Sequence, residues 1–408
     1  PELCSGKPGF NLCQTSRLQR RAMHFQFLLS GPHGDIELCP EDLDQPFLIS
    51  PGEHHPFLKL ADYFGALQEF IMLEEGSLLC AALKKQGRLA DIKPADISEL
   101  IIRSEKHGAY YHIASAEIIG PGVNSKCAVT TALSESAKRS LQAEHGILRK
   151  LSKITPDYLP ELFYSKTITW QTDAGAAEFI MVLGEWLDGY HEWHASNVPG
   201  SHKQKIKLWD YENGCRFLAD AESYEMLRQI AYILTCYYDQ ASFCQIYPWH
   251  HGAGDFIVKP EADTVSVKLI TARQYEPLVH FDGEEEADRL VAAIHFLLNL
   301  VFRIRLDRLD GVGKPCWLDN FAVHAAVEGF FAGLRASSTT NRLMVGPAAD
   351  FLEIMQSFGA QEIFDMYGSL LQIYADEDQD DFRLIQDSLA DHSAQLHDAL
   401  QRYSLAGP

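Results

Sequence analysis

The chain has 408 residues, of which 46% are hydrophobic and 22% are charged. That is enough apolar sequence to bury one large core or two to three domain-sized ones. The 56 acidic residues outnumber the 35 basic ones, so the formal net charge is −21. A surface this acidic repels phosphate backbones and anionic lipid, and we therefore expect no nucleic-acid partner and no membrane partner. A nucleotide is not excluded, because a small local positive pocket is enough to hold one.

The cysteine pattern and the apolar runs predict a cytoplasmic protein. Nine cysteines are present, which is an odd number, and no two of them have the CxxC spacing. Free, reduced thiols fit this pattern better than a disulfide framework does. The longest apolar run near the C-terminal half, residues 291–302, has 12 residues. It is too short to cross a membrane and predicts a buried helix.

In the N-terminal half, β patterns are interrupted by helical ones. Stretches rich in apolar and β-branched residues predict strands at 25–29, 35–38, 111–118, 126–133, 162–170 and 178–183. Helical spacing and start signals predict helices over 57–86, 94–104 and 136–153. Pro94 starts the second of these helices, and Ser134 can cap the third.

After Glu185 the pattern is mostly helical. It predicts helices over 206–220, 223–239, 284–305, 317–334, 345–374 and 380–403, with one hairpin at 255–270. The acidic run at 376–381 is typical of a solvated loop and the first turn of a helix, where carboxylates suit the helix dipole. Arg303 and Asp307 have the i,i+4 spacing of an ordinary helix-surface pair.

Two segments carry a resemblance to a known family. Residues 181–189 are an apolar strand followed by Glu-x-Leu-x-Gly, and residues 144–151 are a helical segment that begins with a glutamate. Around them the order is strand, strand, helix, strand, strand, connector and helices, which indicates an α+β layout. From about residue 108 to 335 the chain resembles the protein-kinase-like superfamily, in the branch that includes aminoglycoside and choline kinases. The resemblance implies a kinase-like bilobal core with an extra N-terminal segment.

This resemblance divides the chain into three parts. Residues 1–107 are an N-terminal α/β extension, and residues 108–185 are a small β-rich lobe. Residues 186–408 are a larger helical lobe that contains a catalytic-loop hairpin at 247–273. In that family the connector between the lobes is a hinge, whose backbone pairs with the adenine of ATP. The hinge implied here comprises Glu185, Trp186 and Leu187, and the alternative is an ordinary turn at 188–189.

The resemblance also implies a glutamate–lysine pair that holds nucleotide phosphates. Glu144 takes the glutamate position, with a solvent-facing glutamate on an amphipathic helix as the alternative. The strand at 128–132 has no lysine where the family usually places one, so Lys126, on the same strand face as Ala128 and Thr130, is the substitute. The glycine-rich phosphate loop is reduced to residues 120–122, which fit a plain β-turn better.

The segment 247–258 takes the place of the family's catalytic loop. Aligned with it, His250 falls on the catalytic aspartate, Asp255 on the metal-binding asparagine, and Thr271 on the second metal-binding aspartate. Imidazole and hydroxyl groups do not bind Mg²⁺ as carboxylates do. Asp255 is therefore the obvious ligand left for Mg²⁺ or Mn²⁺, while His250 or His251 is the candidate base near neutral pH.

Several functions follow from this segment. The first is a nucleotide-binding phosphotransferase that uses ATP with Mg²⁺ or Mn²⁺ on an unknown small-molecule or protein acceptor. The second is an inactive pseudokinase acting as a regulatory or scaffold module. The third is a metal-dependent hydrolase built on His250, His251 and Asp255. A fourth interpretation gives the two histidines only hydrogen bonds to their own loop. A nearby pair, His191 and His194, is three residues apart, which favours substrate contact as readily as metal binding.

Overall fold

The computed structural model describes residues 23–31, 34–50, 52–85, 87, 91–108, 110–201, 203–210, 213–247, 252–262, 264–278, 280, 286–338 and 347–405. The fold is α+β, as the sequence predicts. The first part of the chain forms β1 His24–Gly31, β2 Gly34–Glu37, α1 Pro40–Leu43, β3 Pro46–Ser50, β4 Glu53–Lys59, α2 Leu60–Ile71, α3 Ser77–Lys85, β5 Glu99–His107, β6 His112–Gly120, β7 Val123–Ala132, α4 Glu135–Leu151, β8 Leu162–Thr172 and β9 Gly175–Glu185.

A seven-stranded sheet organises this first part, in the order β2-β1-β5-β6-β7-β9-β8. Strands β1 and β5 are parallel, and the other neighbours are antiparallel. The sheet includes β5 and β6, which pair across the expected boundary between residues 107 and 108. Strands β6 and β7 are joined by a tight turn at 121–122, where Gly122 has a φ of +75°. The segment at 120–122 is thus a hairpin turn.

The two faces of this sheet are covered by different helices. Helices α2 and α3 bury residues such as Phe64, Leu67 and Leu83 against Ile102 and Val129. On the other face, α4 packs through Ala137 and Leu141 onto a smaller patch formed by Ala132, Ile180 and Val182. The hydroxyl of Ser134 caps α4 by accepting a hydrogen bond from the backbone N–H of Ala137 at 3.2 Å.

The rest of the chain is mainly helical around one core. It forms β10 Glu192–Asn197, β11 Gln204–Trp209, β12 Arg216–Phe217, α5 Asp220–Cys236, β13 Cys244–Ile246, α6 Gly252–Asp255, β14 Phe256–Pro260, β15 Val265–Leu269, β16 Tyr275–Pro277, α7 Glu286–Arg303, β17 Leu306–Arg308, β18 Pro315–Trp317, α8 Phe321–Ser338, α9 Ala348–Ser357, α10 Ala360–Met366, α11 Gly368–Glu377 and α12 Gln379–Arg402. Strands β10, β11 and β12 make a small antiparallel sheet, and β14 pairs with β15 as the predicted hairpin.

Four predicted helices need correction. The segment at 94–104 is mainly strand β5, because Leu100 and Ile102 alternate into the core between two neighbouring strands. The segment at 206–220 contains the end of β11 and all of β12 instead of a helix, since Ile206 and Leu208 also alternate into the core. The helix expected at 57–86 starts at Leu60 and is interrupted at 73–76 by three successive left-handed residues. The described part of 345–374 forms three helices rather than one.

The described part of the chain agrees with two composition-based expectations. Its seven cysteines are free thiols, namely Cys39, Cys80, Cys127, Cys215, Cys236, Cys244 and Cys316. None of its helices combines the length and the apolar character needed to cross a membrane. The cytoplasmic location stays a prediction.

Candidate functional site

The candidate site lies where α6 and the β14–β15 hairpin meet α4. Asp255 ends the short helix α6 and is only 2% exposed. Its carbonyl accepts a hydrogen bond from the N–H of Ile270 at 2.9 Å, and Phe256, the next residue, is fully buried. The hairpin therefore holds Asp255 beside the segment that follows β15. His250 and His251 lie outside the described residues.

One partner of the Asp255 carboxylate is a cation from the protein itself. Arg273 Nη1 lies 2.7 Å from Asp255 Oδ1, within hydrogen-bond and ion-pair distance. Burial disfavours the charge of Arg273, but Asp255, Glu144 and Tyr111 together outweigh burial and raise the pKa of the guanidinium. The side chain of Arg273 is still 40% exposed, so this pair reaches from the interior to the surface.

Glu144 is buried against the same segment. It is 5% exposed, and its carboxylate accepts hydrogen bonds from the Thr271 hydroxyl and from the backbone N–H of Ala272, the latter at 2.9 Å. The Tyr111 hydroxyl is a further hydrogen-bond partner. Burial raises the pKa of Glu144 above its ordinary value despite these donors. The solvent-facing alternative for Glu144 is therefore wrong.

The same contacts affect the two residues around Glu144. Burial, followed by the nearby charge of Glu144, raises the pKa of Tyr111. The Thr271 hydroxyl donates to Glu144 and so has a partner other than a metal ion. The structure thus brings together three predicted residues, Glu144, Asp255 and Thr271, but joins them through protein groups.

The side-chain oxygens of Asp255 and Thr271 do not fit the expected Mg²⁺ or Mn²⁺. A hard cation prefers free anionic oxygens, whereas the Asp255 carboxylate is paired with Arg273 and Thr271 supplies only a neutral hydroxyl. Within the described ranges, no group of three or more His, Cys, Asp or Glu side chains is placed to hold a metal ion. The described residues therefore give no step that runs through a metal.

Lys126 lies in a different place from Glu144. Its Nζ is 3.0 Å from Glu105 Oε1 and 3.7 Å from the centre of the Trp186 ring. The α4 patch is reached by Ala132, six residues further along the same strand face, which is roughly 20 Å at the rise of a β-strand. Lys126 is thus too early in β7 to form the expected pair with Glu144.

Glu105 is held by hydroxyl groups as well as by Lys126. The hydroxyls of Ser30 and Ser115 both donate to its carboxylate. Burial acts to raise the pKa of Glu105, but Ser115, Ser30 and Lys126 together outweigh burial and lower it. The Lys126 ammonium is therefore matched by an ionised carboxylate on the neighbouring part of the sheet.

The expected hinge residues close β9 in a turn. The N–H of Glu185 donates to the carbonyl of Glu161 at 2.7 Å, and its carboxylate accepts from the Glu161 N–H at 3.1 Å. Trp186 stacks against Lys126. The carbonyl of Leu187 accepts from the N–H of Tyr190 at 3.3 Å, which forms a turn. These contacts fit the ordinary-turn alternative, and adenine binding there stays a prediction.

His191 and His194 do not form a shared site. His191 bridges to Val258 through the backbone, and its Nε2 is 3.6 Å from Asp210. His194 lies on β10, where its Nδ1 is 3.3 Å from Asp307. Three residues apart on extended chain, the two rings point to different partners, so they do not converge on one metal site.

Arg303 and Asp307 are also not a surface pair. They are 2% and 1% exposed, respectively. Asp307 accepts hydrogen bonds from the N–H of Ala195 at 2.6 Å and of Arg308 at 2.8 Å. The guanidinium of Arg303 lies 4.3 Å from the centre of the Tyr374 ring. The helix ends at Arg303, so the i,i+4 spacing does not place the two side chains on one helix face.

Sequence reasoning missed Arg273, Tyr111 and Glu105. A usable signal existed for Arg273, because a carboxylate buried beside a hairpin needs a cation, and Arg273 follows the return strand directly. The Lys126–Glu105 pair had no comparable signal, since it depends on the register of three strands.

A scan against protein-family models gives no match for this chain, and a search of curated proteins also finds none.

Proposed function

We propose that this chain is a non-catalytic, kinase-like module with a regulatory or scaffold role. Its candidate site is held together by ion pairs and hydrogen bonds within the protein rather than by a metal–nucleotide complex. The observation that carries the proposal is the 2.7 Å contact between Arg273 Nη1 and Asp255 Oδ1. The guanidinium supplies the positive charge that the resemblance assigns to a divalent cation.

The order of elements supports the kinase-like part of the proposal. Strands β6 and β7, helix α4, and strands β8 and β9 follow one another, and they end in the connector at 185–189. Glu144 on α4 then hydrogen-bonds to residues 271 and 272, on the far side of that connector in the chain. This contact couples α4 to the catalytic-loop hairpin without a bound ligand.

The charges on the sheet face near Lys126 support the loss of phosphate binding. Two cations, Lys126 and Arg103, lie among three carboxylates, those of Glu105, Glu117 and Asp35. The face is therefore neutral to acidic, and a triphosphate brought to it meets carboxylates that already hold both cations. Electrostatics at this face disfavours a highly charged anion.

Thermal-shift titration tests the proposal. ATP is added to the wild-type chain with and without Mg²⁺ or Mn²⁺, and the matched control is Asp255→Ala. We expect no metal-dependent rise in the unfolding temperature, since RT ln(1 + [L]/Kd) contributes only when the folded state binds the ligand. A metal-dependent rise that Asp255→Ala abolishes would overturn the proposal.

One observation favours phosphotransferase activity as a second candidate. The Arg273 side chain is 40% exposed and can present donors to a phosphate while it stays bonded to Asp255. Turnover separates the candidates: labelled phosphate transfer from ATP to a small-molecule or protein acceptor, lost in Arg273→Ala, supports the phosphotransferase. The non-catalytic module predicts no transfer above a heat-denatured sample across the acceptor panel.

A further inference from the structure

A buried hydrogen-bond chain joins α12 to the rest of the helical core, well away from the candidate site in the sequence. His392, on α12, is fully buried. Its Nδ1 is 3.0 Å from Arg305 Nη1, and its Nε2 is 2.8 Å from the Tyr367 hydroxyl. That hydroxyl is in turn 3.1 Å from the carbonyl of Leu298 on α7.

The hydrogen bonds around His392 are consistent with only one arrangement of donors and acceptors. A guanidinium carries donors and no acceptor, so Nδ1 of His392 must accept from Arg305 and cannot carry a proton. The proton of the neutral ring therefore lies on Nε2 and is donated to Tyr367. The Tyr367 hydroxyl then donates to the carbonyl of Leu298. A second proton on His392 would face the Arg305 guanidinium, which opposes it both as a donor and as a positive charge.

The surroundings offer little to stabilise a protonated ring. Burial, followed by Arg305, holds the pKa of His392 well below its ordinary value, and burial lowers the pKa of Arg305 to about 10. Tyr367 and the carboxylates of Asp319 and Asp391 act in the opposite direction on Arg305 and offset only part of the effect of burial. Four groups pack around His392: the Phe302 ring of α7, Arg305, the Trp317 ring of β18, and Tyr367 after α10. Two further groups act through these neighbours. Tyr374 of α11 acts on Tyr367, and Gln395 of α12 accepts a hydrogen bond from Arg305.

We propose that His392 is an acid-sensitive latch, which holds α12 on the core while neutral and weakens that attachment when α12 opens and the ring takes up a proton. When α12 is released, His392 takes up a proton near pH 6.5. When α12 is docked, His392 resists protonation to a much lower pH. The stabilising contribution is therefore complete above about pH 6.5 and falls as the pH drops below that value. This proposal stands independently of the proposed function.

Hydrogen exchange of the full chain tests the latch. Protection of the α12 amides is compared at pH 7.5 and pH 5.5 after correction for the intrinsic exchange rate. We expect the protection of wild-type α12 to fall about tenfold, since pH 5.5 lies about one unit below the ordinary histidine pKa. His397→Gln, also on α12 but with a side chain 30% exposed, should show the same fall.

The decisive variant is His392→Asn, whose side-chain oxygen can accept from Arg305 but does not titrate. Its α12 protection should change no more than that of the other helices between the two pH values. Equal protection of wild-type α12 at both pH values would overturn the latch. So would side-chain nitrogen NMR of the wild-type chain if it found His392 protonated on Nδ1 at pH 7.5, a readout that needs no variant to fold.

Discussion

Two arginines show how differently the same side chain acts at two places in the helical part of the chain. Arg273 is 40% exposed at the side chain and is paired with the buried carboxylate of Asp255. Arg305 is 3% exposed and donates to neutral acceptors, namely His392, Gln395 and the carbonyl of Leu318. The charge of Arg273 is matched by a carboxylate, whereas the charge of Arg305 is held mainly by hydrogen bonds.

The difference explains what each arginine imposes on its neighbours. Arg273 pairs with a buried carboxylate, and in the proposed function it supplies the charge expected of a metal ion. Arg305 instead fixes the proton position of a histidine, because a buried cation next to an imidazole disfavours a second positive charge. Substitutions should therefore be costly at Arg305, where two buried acceptors and one half-buried acceptor depend on it, and milder at Arg273, where water is near.

The largest effect is expected from Arg305→Met. The change removes the donor to His392, Gln395 and the Leu318 carbonyl, leaving buried acceptors without it, and should lower the free energy of unfolding by about 3 kcal/mol. Urea denaturation measures this, with Arg383→Met as the control, because the Arg383 side chain is 77% exposed on α12. A loss below about 0.5 kcal/mol would remove the contrast between the two arginines.

Glu144→Ala should cost about 2 kcal/mol, since the Ala272 N–H and the Thr271 hydroxyl lose their buried acceptor. Because burial raises the pKa of Glu144, its contribution is present below the ordinary value and lost as pH rises through the raised one. The cost should therefore be larger at pH 5 than at pH 8 in urea denaturation. Glu135→Ala, on an exposed turn of the same helix, should be nearly neutral; equal losses for both variants would contradict the prediction.

Arg273→Ala should cost about 2 kcal/mol in the same assay, because it leaves the buried Asp255 carboxylate without its cation, while water at the exposed side of the pair replaces part of that interaction. It also uncovers the Asp255 carboxylate. Mn²⁺ should therefore raise the unfolding temperature of Arg273→Ala more than that of the wild type, and the double variant with Asp255→Ala should lose this gain. A wild type stabilised by Mn²⁺ as strongly as Arg273→Ala would show that the guanidinium does not stand in for a cation.

The smallest effect is expected from Lys126→Met, at about 0.5 kcal/mol. Glu105 keeps the hydroxyls of Ser30 and Ser115, so the carboxylate remains hydrogen-bonded. Binding of ATP, measured by calorimetry, should be as weak as in the wild type. A clear drop in ATP affinity caused by this variant alone would restore Lys126 as a phosphate ligand.

The sequence predicts much of the fold because hydrophobic periodicity is local. The strands β6 to β9, helix α4 and the β14–β15 hairpin all lie close to their predicted positions. The failures at 94–104 and 206–220 have a common cause. The alternating stretch in each segment is only a few residues long, and pairing with neighbouring strands, which no local pattern reveals, decides in favour of β-structure.

For the candidate site, the sequence predicts which residues lie near one another but not which groups they bind. Placing Glu144, Asp255 and Thr271 near one another needs only the order of the elements, and two of them are in direct contact. The partners of these residues could not be predicted, because the Arg273–Asp255 pair depends on the path of the backbone after β15. Lys126 illustrates the limit, since a few residues along a strand move a side chain beyond reach of α4.

The central claim, that Arg273 occupies the role of the metal ion, is tested most directly by counting bound manganese. Electron paramagnetic resonance of Mn²⁺ with ATP reports how much of the ion is held by the wild-type chain. We predict no protein-bound Mn²⁺ beyond the Mn²⁺–ATP complex in buffer. One bound Mn²⁺ per chain, lost on Asp255→Ala, would contradict the account.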